Sequence, residues 1–216
     1  RPDAKGAGME SIVRNPGRDA SPLVLSCSPR KGGNSDAAAE ALARGLASAG
    51  VEARVTHLRD HAVLPCRGCQ ACARSVGHAC VLMERDEAEA LFALIVRAPM
   101  LFFTAPIYFY HLPGAFKGFI DRAQRYYAAQ LAGDPVLNAL EARQAFACLV
   151  SGRPRGEKLF EGSLLTLRYF LKPFNAALAE PLCLPGFDGP GDLAGDEATL
   201  ARVASYASDA WNGAAP

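Results

Sequence analysis

From Pro22 onward, short apolar runs alternate with longer stretches of helical periodicity, and this alternation limits the folds open to the chain. "PLVLS" (22–26), "VEARVTHL" (51–58), "MLFFTA" (100–105), "QAFACLVS" (144–151) and "PLCLPGF" (181–187) read as strands. Between and after them lie segments with one apolar face. "SDAAAEALARGLASAG" (35–50) begins at Ser35, a candidate N-cap, and stops at Gly50. Residues 84–98 place Ala88, Leu91, Phe92 and Ile95 on one face, and 114–127 do the same with Phe116, Phe119, Ile120 and Ala123. Residues 164–174 and 197–211 complete the helical set. Five strands alternating with helices predict an α/β fold: a doubly wound parallel sheet with helices on both faces and right-handed crossovers. In such sheets ligands lie outside the carboxyl ends of the strands, near the point where strand order reverses. The loops after the first, third and fourth strands are therefore the ones to read for chemistry.

The rest of the composition narrows the class. A chain of 216 residues suffices for one domain over 22–216. Residues 1–21 are rich in Gly, Pro, Arg and Asp and are expected to form an arm or partly disordered lead. A formal net charge of +1 gives no basic field for nucleic acid or a membrane surface, so neither is expected as a partner. The most apolar region, Ala88 to Tyr110, is broken by Glu89, Arg97, Pro99 and Pro106 and does not read as a membrane span. The first residues lack an apolar signal core. Seven cysteines, an odd number in a chain too long to need staples, suggest a reducing, cytoplasmic setting.

The loop after the first strand, "SCSPRKGGNSD" (26–36), joins a buried strand to a helix N-terminus. Unpaired N–H groups and the positive end of the helix dipole lie there. Gly32 and Gly33 let the backbone curl, Ser26, Ser28, Asn34 and Ser35 offer donors, and Arg30 and Lys31 offer charge. This chemistry suits a phosphate monoester. Neither a Walker A sequence nor G-x-G-x-x-G is present, which disfavours a tightly held dinucleotide. The same residue types also allow a plain polar turn. After the third strand, Pro106 stiffens a turn carrying Ile107, Tyr108, Phe109 and Tyr110. A flat ring ligand would explain these groups, and core or subunit packing is the alternative. His111 has no evident partner and reads as a surface residue.

Together, "SPRKGGNSD" and "APIYFYHLPGAFKGFIDR" resemble the NADPH-dependent FMN reductase family of flavodoxin-like proteins, over about Leu23 to Tyr127. The resemblance implies a flavodoxin-like FMN-binding domain and an FMN-dependent oxidoreductase. Such an enzyme would pass electrons from NAD(P)H, a transient co-substrate, to a quinone, nitro, azo or flavin acceptor. Ser28, Arg30, Asn34 and Ser35, with Ser26 beside them, would serve the FMN phosphate. Pro106, Ile107, Tyr108 and Phe109 would line the flavin, and Ser151 and Gly152 would approach its polar edge. Arg153 and Arg155 would be solvated or meet the nicotinamide cofactor's phosphate. No catalytic acid or base is implied, and a homo-oligomer is expected.

The remaining motif is "CRGCQACARSVGHAC" (66–80). Iron–sulfur flavoproteins of the same family carry a compact motif at this place, and Cys66, Cys69, Cys72 and Cys80 resemble it. Thiolates are the usual ligands of a [4Fe–4S] cluster. Free thiols remain open, as does a zinc site that includes His78. A cluster would make the chain an electron carrier for a ferredoxin-like partner. A flavin- or zinc-binding module without turnover is the third alternative. Cys27, Cys148 and Cys183 read as small residues in or beside strands.

Overall fold

The computed structural model describes residues 21–213, so the expected arm over 1–21 lies outside the described residues except for Ser21. Strands β1 (Leu23–Ser26), β2 (Arg54–His57), β3 (Leu101–Pro106), β4 (Arg143–Ser151), β5 (Ala176–Leu178) and β6 (Leu182–Pro185) form one parallel sheet. The order is β2-β1-β3-β4-β5, with β6 also on β4. Leu178 pairs with Ala145, and Leu182 with Cys148, both on the edge of β4 opposite β3. The fifth position of the sheet is thus filled by two segments where the sequence predicts one strand over 181–187. This is the flavodoxin order, which reverses between β1 and β3.

The helices are α1 (Asn34–Ser48), α2 (Ala71–Arg74), α3 (Ala88–Arg97), α4 (Gly114–Arg122), α5 (Gln124–Leu131), α6 (Pro135–Asn138), α7 (Glu161–Leu171) and α8 (Glu197–Gly213). Strand alternation sends side chains to two cores. Leu101, Phe103 and Ala105 of β3 face one, and Phe102 joins Phe146 in the other at 5.0 Å between ring centroids. The first core is covered by α3, α4, α5 and α7 and is aromatic, with Phe92 stacked on Phe119 at 4.4 Å. The second lies under α1 and α8. These two helices pack so closely that a Cβ on Gly45 would overlap the Ala204 carbonyl. Among the described residues no helix is long and apolar enough to cross a membrane.

Three boundaries differ from the sequence reading, each for a side-chain reason. Helix α1 starts at Asn34 with Gly33 at the N-cap position, and Ser35 is buried inside the first turn. Asp36, not Ser35, reaches back to close the preceding loop, accepting from the Gly32 N–H at 2.8 Å. Helix α3 starts at Ala88 rather than near 84, because Asp86 and Glu87 turn back to the N–H groups of Leu64 and Ala62, at 2.8 and 2.7 Å. The predicted helix over 114–127 is broken at Ala123 (φ −67°, ψ −5°), between two arginines whose side chains turn inward to carboxylates.

Candidate functional site

The carboxyl ends of β1, β3 and β4 open on a cleft of about 140 Å³. Ser28, Arg30, Gly33, Asn34 and Ser35 line one side; Pro106, Ile107 and Tyr108 line another, with Val150 and Gly152 beside them. The structure thus gathers most of the sequence-predicted FMN residues at one place. The Ile107 N–H donates to the Val150 carbonyl at 2.8 Å, joining the loop after β3 to the end of β4.

The first loop is held by a carboxylate. Asp36 accepts from the Ser26 hydroxyl at 2.7 Å, from Arg59 Nη1 at 2.9 Å and from the Gly32 N–H. Burial pushes its carboxyl up, but the Arg59, Ser26 and Gly32 bonds outweigh burial and hold it below the usual carboxylate range. Arg59 Nη1 also donates to the Ser28 carbonyl at 3.3 Å. Gly32 (φ +67°) supplies the left-handed residue that this curl requires. The result is a fixed loop whose helix N-terminus leaves the first N–H groups without intrahelical acceptors.

Several predicted residues take positions other than direct lining. Ser26 is fully buried, and its hydroxyl is committed to Asp36. Asn34 lines the cleft, but its amide nitrogen donates to the carbonyls of Phe187 and Gly189, at 3.1 and 3.0 Å, and its oxygen accepts from the Leu193 N–H at 3.1 Å. It therefore ties the first loop to the segment after β6. Ser151 is buried beside the cleft, accepting from the Arg153 N–H at 3.1 Å. Phe109 does not line the cleft. It sits fully exposed in a two-residue turn with Tyr110, closed by reciprocal backbone bonds between Tyr108 and His111. His111 is not the free surface residue its sequence context suggests. Nδ1 accepts from the Leu112 N–H at 2.9 Å, so the proton is on Nε2, 3.2 Å from the Thr166 hydroxyl.

Sequence reasoning missed Asp36, Arg59, Phe187 and Asp188. Phe187 and Asp188 complete the cleft from the loop after β6, and a Cβ on Gly152 would collide with the Asp188 carboxylate. An acid in the first turn after a Gly-Gly pair was a signal for Asp36. Arg59 carried none.

The four loop cysteines converge as well. Cys66, Cys69, Cys72 and Cys80 all line one cavity of about 450 Å³, roofed by α4 and α5 residues. The segment curls through four left-handed residues, Gly68 (φ +62°), Gln70 (φ +57°), Gly77 (φ +77°) and His78 (φ +53°), and the Gly68 N–H points at Cys66 Sγ, 3.4 Å away. Burial raises the Cys72 thiol, and negative charge on Cys80, Cys66 or Cys69 would raise it further. Among the described residues no three His, Cys, Asp or Glu side chains are grouped as one bound ion needs. His78 Nδ1 is engaged with the Cys72 carbonyl at 2.9 Å. An all-sulfur donor set spread around a cavity suits a multi-iron cluster, whose ligands surround several metal atoms, better than a single zinc ion. Away from this loop Cys27, just past β1, and Cys148 of β4 are buried, Cys183 is half-buried, and none of the seven cysteines forms a disulfide. Burial pushes Cys148 up to about 12, leaving it an inert packing residue.

The family model for NADPH-dependent FMN reductase matches residues 22–169. The chain belongs to the NADPH-dependent FMN reductase family. Its similarity to individual members is lower. An iron–sulfur flavoprotein of Archaeoglobus fulgidus is 29% identical over 99 residues, 46% of this chain and 43% of that protein. The match thus spans less than half the length of this curated relative. Among solved structures, a flavone reductase superposes with a TM-score of 0.63 at 12% identity, covering 88% of this FMN reductase family member and 62% of that chain. An NAD(P)H:quinone oxidoreductase from Methanothermobacter marburgensis gives 0.61 at 20% identity, covering 88% and 96%. At these identities the two structures share the flavodoxin-like fold.

Proposed function

We propose that this chain is an FMN-dependent oxidoreductase that takes electrons from NAD(P)H and delivers them to a small acceptor such as a quinone, nitro or azo compound or free flavin. The observation that carries the reading is the single cleft uniting Ser28, Arg30 and Ser35 with Ile107 and Tyr108. Hydroxyls, a guanidinium and the α1 N-terminus fit a phosphate monoester. Ile107 and Tyr108 give a flat, largely apolar wall. The cleft is smaller than the roughly 300–1,000 Å³ typical of ligand pockets, so it encloses the phosphate end and leaves the ring against the exposed side of Tyr108.

FMN supplies hydride acceptance and electron release when bound. The protein's part is orientation. Asp36 and Arg59 fix the phosphate loop, and Asn34 fixes the far wall. Ile107 and Tyr108 shield one side from water. His111 is engaged at both ring nitrogens, so it moves no proton in this scheme. The test is anaerobic mixing of FMN-loaded protein with NADPH or NADH, followed by acceptor. Rapid bleaching and reoxidation support the reading, and bound flavin that neither nucleotide reduces would overturn the NAD(P)H assignment.

The cysteine cavity favours a second reading. Cys66, Cys69, Cys72 and Cys80 would hold a [4Fe–4S] cluster, and the chain would exchange electrons with a ferredoxin-like protein. A homo-oligomer and a cytoplasmic setting belong to either reading. Iron and sulfide assays on anaerobically reconstituted protein separate the two.

A further inference from the structure

The cysteine cavity is flanked by a buried cation. Arg122 of α4 is 1% exposed, and its guanidinium is only half used. Nη1 pairs with the Asp86 carboxylate and donates to the Leu64 carbonyl at 2.9 Å. Nε and Nη2 are buried and make no well-aligned hydrogen bond, although the guanidinium reaches the Cys80 sulfur. Buried donors are rarely left unsatisfied, and the penalty is largest on a charged group. Arg122 lines the same cavity as the four cysteines. Arg125, the neighbouring cation, is committed to Glu89 and to the His78 carbonyl. Asp121, the carboxylate lining this cavity, pairs with Lys117 at 2.6 Å.

We propose that Arg122 donates through Nε and Nη2 to sulfur of a thiolate-bound iron–sulfur cluster in this cavity, and thereby raises the cluster's reduction potential. The inference rests on the second reading above, that the cavity holds such a cluster. Hydrogen bonds to cluster sulfur favour the reduced form, which carries the extra negative charge. The Asp86 pair aims the guanidinium and, through Leu64, fixes the start of the cysteine loop two residues before Cys66. The Gly68 N–H supplies a weaker donor of the same kind to Cys66.

The test uses the full chain, reconstituted anaerobically with iron and sulfide, and EPR-monitored redox titration. Arg122→Lys keeps a cation opposite Asp86 but lacks the Nε and Nη2 donors. The paired change Asp86→Asn with Arg122→Gln removes both charges together, so no buried carboxylate is left alone. Both variants are expected to load iron as the parent does. At a fixed ambient potential the reduced-to-oxidised ratio should fall roughly tenfold, about 59 mV for a one-electron couple. An unchanged or higher potential in fully loaded variants overturns the role of Arg122 and leaves the cluster reading standing. Reduced loading with the parent potential makes Arg122 a purely structural residue and also overturns it. Parent protein that takes up no iron overturns the cluster reading and this inference with it.

Discussion

The side-chain amide of Asn34 donates to the Phe187 carbonyl at 3.1 Å, across 153 residues of sequence. With its bonds to Gly189 and Leu193, this one side chain holds the phosphate loop against the segment that completes the cleft. Asn34→Ala should lower stability by about 1–3 kcal/mol, since three backbone groups lose a partner. FMN affinity should fall as well, although the amide is turned away from the ligand. Urea unfolding and FMN titration check the two effects. A variant of unchanged stability that still loses FMN would return Asn34 to direct phosphate contact.

Of the two exposed cations in the first loop, Arg30 and Lys31, Arg30 lines the cleft. Its N–H donates to the Ser28 hydroxyl at 3.2 Å, while its guanidinium is available to a ligand. Arg30→Ala should weaken FMN binding by roughly 1.5–3 kcal/mol, the scale of a charge-assisted hydrogen bond. Riboflavin, which lacks the phosphate, should bind more weakly than FMN to the parent and be indifferent to the change. Equal affinity of the parent for both ligands would remove the phosphate assignment.

Asp36 makes the cleft sensitive to acid. Its folded pKa is depressed, so the unfolded chain binds its proton first as pH falls. The stabilisation is therefore complete above the ordinary carboxylate range and is lost as pH drops through the folded value. Asp86, held low against its own burial by Arg122 and the Leu64 N–H, titrates with the same sign. At pH 7, Asp36→Asn should cost about 1.5–3 kcal/mol, the loss of charge-assisted bonds from Arg59 and Ser26. The gap between parent and variant should close toward pH 3. A gap independent of pH, measured by urea unfolding at several pH values, would show that the charge on Asp36 is not what holds the loop.

How far the sequence revealed this arrangement depends on the range of each interaction. Apolar runs such as Phe102–Phe103 and Ala147–Leu149 exposed the strands, because burial on both faces leaves no polar alternation. The curl of the first loop was legible because Gly32, Gly33 and the following helix are local. The partners of Asn34 and Asp36 were not, since Phe187 and Arg59 reach them only through tertiary folding. The divided last strand was missed because β5 has just three residues, too few for a readable alternation. The inward turn of Arg122 was also hidden, because the sequence places a basic residue at a helix end where solvent is the ordinary environment.

The Tyr108–His111 turn carries strain that the cleft itself does not require. Phe109 (φ +49°) and Tyr110 (φ +63°) are consecutive left-handed residues with large side chains, each disfavoured by roughly 1–2 kcal/mol. Phe109 is fully exposed and offsets none of that cost by packing. Asn tolerates this conformation, so Phe109→Asn should stabilise the protein by about 0.5–1 kcal/mol. FMN affinity should stay at the parent value, because Phe109 lies off the cleft. Strain of this kind persists where a side chain is needed in place, and an exposed ring next in sequence to the cleft residue Tyr108 is suited to stacking on a flat acceptor. The variant should therefore show a raised KM for an aromatic acceptor with an unchanged rate of flavin reduction by NAD(P)H. If stability rises and acceptor kinetics do not move, Phe109 has no part in turnover; if FMN affinity falls, the ring closes over the flavin in solution.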